Sequence, residues 1–200
     1  MKNFIVSAAA AAAMASVAPV ATAQSENYAL DTYHTYVHFE VDHLGGMSRM
    51  RGRFDKVTGK FSLDNTAKAG SLEVIIQTTS ISTGDNDKGT RPRARDEHLR
   101  SPDFFNVAEF PTITFRSTKV NFKGDVPATI DGNITLLGVT KPVTFTVEHW
   151  RCGVHPASKR QMCGANASGS IKRSDFGMKF AIPAVGDEQK RWIEMEGLKE

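Results

Sequence analysis

The residues able to do chemistry fall into a few groups. His34, His38 and His43 lie close together in the chain. On a helix the first two would form a metal pair. Their segment alternates apolar and polar residues as a strand does, so His34 and His38 take the wet face and His43 the opposite one. No acidic or cysteine partner stands at ligand spacing, and no metal site is expected. His43, in the row of Val37, Phe39 and Val41, reads as a hydrogen-bonded interior group. Arg91, Arg93, Arg95 and Arg100 form a basic run. It reads first as a solvated helix face balanced by Asp96 and Glu97. The alternative is a rim attracting a diphosphate or quinone head group, because guanidinium forks suit phosphate. Arg173 follows Ala165, Ala167, Gly169 and Ile171 on one alternating row that should face inward. An inward arginine must be paired or near water. Asp103, Asp175 or a ligand head at a barrel mouth would each serve.

Nothing else carries the spacing of an enzyme. There is no G-x-S-x-G, no H-E-x-x-H and no phosphate loop. The sequence is therefore read as a non-enzyme without a cofactor. A formal charge of +3 over 200 residues gives no concentrated basic face and no expectation of nucleic acid. With 40% hydrophobic residues there is material for one packed domain.

The first 23 residues read as a signal peptide. Lys2 precedes an apolar run from Phe4 to Ala18, and Ala21-Thr22-Ala23 supplies an A-x-A cleavage site. The run is short and alanine-rich for a membrane span of about 20 residues. No cysteine adjoins the site, which excludes a lipoprotein anchor. The expected product, residues 24–200, is exported, with no stable membrane insertion.

The elements behind these groups are strands. Thr35 to Asp42, Ser71 to Thr78, Thr112 to Arg116, Ile130 to Leu136 and Pro142 to Glu148 all alternate with period two. Turn residues such as Gly45-Gly46, Asp64-Asn65, Lys123-Gly124-Asp125 and Gly138 separate them. About eight strands emerge, spaced as in an antiparallel meander. The 84–110 segment resists this pattern. A short helix is expected within Asp85 to Arg100, with Ser101 or Asp103 as the N-cap of a further turn. One wet and one dry face per strand fits an eight-stranded barrel able to hold a small ligand, or a filled sandwich. Periodicity does not separate the two.

If the barrel is right, the dry faces predict an elongated apolar pocket. Its walls would be Phe39, Val41, Phe54, Leu72, Val74, Ile76, Phe115, Leu136, Phe145 and Val147, with Arg173 as a ligand-contacting cation. Small residues between Cys163 and Gly169 would leave space opposite large phenylalanines. Export also places Cys152 and Cys163 in an oxidising compartment. They end one strand and begin the next across a hairpin loop, so a disulfide is expected, with Cα atoms about 5.5–6 Å apart.

Several ordered motifs resemble the YceI-like polyisoprenoid-binding proteins. They are Tyr28-Ala29-Leu30-Asp31 with Val37-His38-Phe39 and His43-Leu44-Gly45, then Gly52-Arg53-Phe54. Arg95 to Asn106, continuing through Phe110 to Phe115, is a strong match. So are Gly132 to Val143 and Ser174-Asp175-Phe176-Gly177-Met178. The resemblance spans roughly 28–197. It implies an all-β, lipocalin-like antiparallel barrel in the periplasm whose interior holds a long isoprenoid tail, and it does not imply catalysis. The implied ligand is an isoprenoid quinone or polyprenyl phosphate. Alternatives are another amphiphile, such as a fatty acid amide or apolar antibiotic, an enzyme acting on a lipid head group, or a stress-induced adaptor. A homodimer stays open. Two departures stand out: Gly89 to Arg93 looks like extra sequence, and Cys152 and Cys163 are not required by the family.

Overall fold

A computed structural model describes residues 25–200; the expected signal peptide, 1–23, lies outside the described residues. The chain forms β1 (Glu26–Leu30), β2 (Tyr36–His43), β3 (Ser48–Phe54), β4 (Val57–Asp64), β5 (Ala69–Gln77) and β6 (Ile81–Ser82). Then come α1 (Arg95–Arg100), β7 (Thr112–Lys123), β8 (Val126–Leu136), β9 (Val139–Val154), β10 (Gln161–Lys172) and β11 (Val185–Lys199). All strand pairs are antiparallel, and β1 pairs with β11 to close the sheet on itself.

Three of the staves are broken. β1 and β2 lie end to end along β11, with Tyr28 opposite Lys199 and Tyr36 opposite Glu194. β4 pairs with β1 while β3 pairs with β2, and β5 and β6 continue the pattern against β4 and β3. Counting each broken pair once leaves an up-and-down barrel of eight strands. Closure through β1 and β11 leaves no edge in the ring β1-β4-β5-β7-β8-β9-β10-β11, which an open sheet or sandwich would keep, while β2-β3-β6 branches from β11 and ends at the two-residue β6. Closure of the ring resolves the barrel-or-sandwich choice that alternation left open.

The hairpins fix the register. Leu137 and Gly138 join β8 to β9 with φ of 51° and 73°. Two positive φ values are what a two-residue hairpin turn needs to match strand twist.

Glycines inside the barrel act by letting rings lie flat. A Cβ at Gly52 would come within 2.4 Å of the Phe39 ring, and one at Gly132 within 2.4 Å of Phe115. Gly169 stands in the same relation to Phe145, and Gly197 to Phe61. The first three rings rest on the adjacent strand where a side chain is missing, and Phe61 reaches past β1 to the same kind of gap on β11.

The two ends close differently. At one end α1 and the segment leading to β7 fold over the mouth. Phe104, Phe105, Phe176 and Met178 pack there with Phe54, Val57, Ile81 and Leu136. Phe54 meets Phe105 edge-on at 5.5 Å. At the other end Tyr28 stacks on Phe61 at 4.6 Å, and Phe61 meets Trp150 at 6.0 Å.

α1 forms where the short helix was expected. The further turn of helix after it does not form. Ser101 instead closes α1: its N–H and hydroxyl both donate to the His98 carbonyl, at 3.0 and 2.7 Å. The hydroxyl oxygen also accepts from the Asp103 N–H at 3.4 Å, and the Ser101 carbonyl accepts from the N–H groups of Phe104 and Asn106, so the segment after it closes as hydrogen-bonded turns instead of a helix.

The disulfide expected from the hairpin is present. Cys152 and Cys163 face each other in register across β9 and β10, with Cα atoms 4.0 Å apart. They are closer than expected because they are direct partners in the ladder, where opposed residues already come together. Cys163 is fully buried in the cluster at that end, and Cys152 is exposed.

Candidate functional site

The barrel encloses a central void of about 80 Å³. Its wall includes Phe54, Leu72, Val74, Ile76, Phe115, Phe145 and Val147, all on dry faces in the sequence. Leu30, Val57, Trp150, Ala165, Ala167 and Ile193 complete much of the remainder. Ala165 and Ala167 supply the small side chains that leave room opposite the phenylalanines. Leu72, Val74, Phe145, Val147 and Trp150 are only half-buried, so the loosest packing sits around the void.

The elongated pocket expected from alternation is contracted to this small space. A cavity of ~150 Å³ takes a single benzene ring, and the void is smaller. The reason lies in the two clusters that close the barrel from either end.

Three expected wall residues lie elsewhere. Phe39 and Leu136 are buried in the capped end, Phe39 against Phe54 at 6.0 Å. Val41 is further along β2, opposite Gln189 and Met50. Period-two parity fixes the face of a side chain but not its height along the barrel, and β2 and β8 run past the void.

Arg173 is also corrected. It is fully buried, but it contacts neither the void nor Asp103 nor Asp175. Its Nε donates to the Gly186 carbonyl at 2.8 Å, Nη1 to Met178 at 3.0 Å and Nη2 to Val185 at 2.7 Å. The guanidinium ties down the loop that joins β10 to β11. Its five donors suit a cluster of backbone carbonyls as well as they suit a carboxylate.

The basic run is spent on local structure. Arg91 makes a two-pronged bond to Asp85, with both contacts at 2.7 Å, and Arg95 lies 3.2 Å from the same carboxylate. Arg93 donates to Asp103 at 2.9 Å, and Arg100 donates to the carbonyls of Thr79 and Ile81. The partners are Asp85 and Asp103, not Asp96 and Glu97. Asp96 turns inward instead, accepting from the N–H and hydroxyl of Thr83 at 2.9 and 2.6 Å.

The histidines meet more acid than their spacing showed. His34 Nδ1 lies 2.8 Å from Asp31 and 4.0 Å from Glu196, which arrives from β11. Hydrogen bonding to Asp31 raises the His34 pKa, and bonding to His34 holds the Asp31 carboxyl below its usual value. The trio could supply three metal ligands by geometry. The direct 2.8 Å contact already accounts for it as an exposed ion pair. His43 is half-buried at the end of β2 and lies outside the wall of the void.

One wall residue escaped the sequence reading. Arg191 is 4% exposed and faces the void from the middle of β11. Nη2 donates to Gln189 Oε1 at 2.7 Å, and the guanidinium carbon lies 5.7 Å from the centre of the Phe39 ring. Gln189 is itself 5% exposed. Burial pulls the Arg191 pKa down to about 10, so it stays charged at neutral pH. The signal was available: Gln189, Arg191, Ile193 and Met195 share one parity. Polar residues at the first two positions masked the dry face.

Residues 28–196, nearly all of the described barrel, match the YceI-like domain family. A UPF0312 protein of Pseudomonas aeruginosa is 36% identical over 181 residues, covering 89% of this chain and 90% of that protein. A protein called YceI from Salmonella arizonae is 37% identical over 168 residues, 84% of this chain and 83% of its own. Among solved structures, Burkholderia cenocepacia BcnA superposes with a TM-score of 0.65 at 21% identity, covering 84% of this chain and 98% of BcnA. A polyisoprenoid binding domain from Saccharophagus degradans gives 0.61 at 14% identity, with coverage of 86% and 98%. Both structures share the fold.

Proposed function

Since the chain belongs to the YceI-like domain family, we propose that it is a periplasmic carrier or sequestering protein for a long apolar lipid, an isoprenoid quinone or polyprenyl phosphate, held inside the barrel. The observation that carries this is the closed barrel with an apolar-walled void at its centre. The polyisoprenoid binding domain from Saccharophagus degradans lends support through its shared fold.

Binding would draw on hydrocarbon burial, worth about 25 cal/mol per Å². A chain of several isoprene units gathers tight binding from many such contacts and few polar ones. A void of about 80 Å³ does not hold such a chain with the side chains as they stand. On this reading the half-buried Leu72, Val74, Phe145, Val147 and Trp150 would have to swing aside. The fully buried aromatics of the capped end stay in place. The reading requires no catalytic group.

The test is extraction of the protein, purified from a periplasmic fraction of its own host, with organic solvent, followed by mass spectrometry. A stoichiometric long-chain isoprenoid is expected. An extract with no lipid above the level of an unrelated periplasmic protein would defeat the proposal.

A further inference from the structure

A cation in an apolar cavity needs a partner. Removing a guanidinium from water is costly unless charge and hydrogen bonds compensate it. Arg191 has neither in full. Its one hydrogen bond among the described residues goes to the neutral Gln189, and Phe39 offers only a ring face. Burial lowers its pKa with no carboxylate offsetting the cost. Arg173, equally buried, shows the contrast: three backbone carbonyls occupy its Nε, Nη1 and Nη2.

The leftover groups are all donors. Arg191 Nε and Nη1 remain, and Gln189, whose Oε1 accepts from Arg191, has its amide NH₂ to give. Of the polar side chains in the wall, the Thr35 hydroxyl is engaged by the Glu196 backbone and Arg191 is left with donors only. A site of that kind, carrying one positive charge and flanked by Gln189, is matched by a group made of acceptors and carrying negative charge. A hydroxyl or amide head would leave the charge uncompensated. The surrounding wall of Val37, Phe54, Ile193 and Met195 is apolar, so the rest of the ligand is hydrocarbon.

We infer that Arg191 and Gln189 form an internal anchor for the oxyanion head of an amphiphile, a carboxylate or a phosphate. The inference rests on the lipid-binding reading above and narrows it: anionic lipids are preferred over neutral ones of equal length. It also places the head inside the barrel, beside β2 and β11, instead of at the arginine-rich rim.

Two matched pairs of probes test it by titration of the intact protein. One pair is cis-parinaric acid and its methyl ester; the other is geranylgeranyl monophosphate and geranylgeraniol. Each is measured with the wild type, Arg191→Met and Arg191→Lys. The wild type should bind the anion of at least one pair about tenfold or more tightly than its neutral counterpart. Arg191→Met should erase that ratio while keeping or improving the neutral probe, and Arg191→Lys should keep part of it. An advantage in the carboxylate pair alone assigns a fatty-acid-type ligand, and one in the phosphate pair alone assigns a polyprenyl phosphate. If the neutral probes bind but no anion is favoured in the wild type, the anchor is wrong and the lipid-binding barrel stands. An anion preference that survives intact in folded Arg191→Met also overturns the anchor. If no probe binds the wild type, both readings fail. The wild-type comparison decides the matter even should a variant not fold.

Discussion

Arg173 Nη2 donates to the carbonyl of Val185 at 2.7 Å, joining the end of β10 to the start of β11 across a loop of a dozen residues. With the bonds to Met178 and Gly186, it makes one buried side chain the internal clasp of that loop. The loop in turn carries Phe176 and Met178 into the capped end of the barrel.

Replacing Arg173 by Met would keep much of the volume and strand three carbonyls. The expected loss is about 3 kcal/mol or more, read as a lower urea midpoint with an unchanged slope. A variant as stable as the wild type would show that the carbonyls find other partners and that the clasp is dispensable.

Val74→Trp puts a large ring into the void beside Phe115 and Phe145. Because it enters space before it meets packed neighbours, its cost should stay within about 1–3 kcal/mol. Lipid recovered by solvent extraction should fall several-fold per mole of folded protein. Undiminished lipid in the folded variant would mean that the ligand binds outside the barrel.

Asp187 makes the clasped loop acid-sensitive. Burial pushes its pKa up, but hydrogen bonds from the Ser174 hydroxyl and N–H and the charge of Arg173 outweigh this and hold it below 3.8. A depressed carboxyl stabilises the fold above the unfolded pKa and loses that contribution as pH falls through the folded value. The stability gap between wild type and Asp187→Asn should therefore be full at pH 7 and shrink below about pH 4. Denaturation curves across pH 2–7 read it directly, and a gap independent of pH would remove Asp187 from the account.

The Cys152–Cys163 bridge leaves no free cysteine in the chain. Thiol titration of denatured, unreduced protein should accordingly detect none. The Cys152→Ala, Cys163→Ala double variant should lose up to about 3 kcal/mol on the chain-entropy model. Two reactive thiols per chain in periplasmically produced material would contradict the bridge.

The sequence by itself determined the alternating faces of β2, β5, β7, β8 and β9 and the hairpin that pairs Cys152 with Cys163, while the polar start of β11 hid its dry face. Faces and hairpin are local matters: side chains alternate with period two, and turn residues stand where the chain must reverse. It also marked Val74, Phe115 and Phe145 as inward, because each sits on an apolar row. Closure of the sheet through β1 and β11 required tertiary structure, since the two strands lie at opposite ends of the chain. So did the height of each residue along the barrel, which separated Phe39 and Leu136 in the capped end from Val74 at the void. The two arginines show the difference most clearly. Both face inward, yet only the fold brings three carbonyls to Arg173 and leaves Arg191 with Gln189 as its one hydrogen-bond partner among the described residues, because a hydrogen-bond partner is chosen by distance in space and not by spacing in the chain.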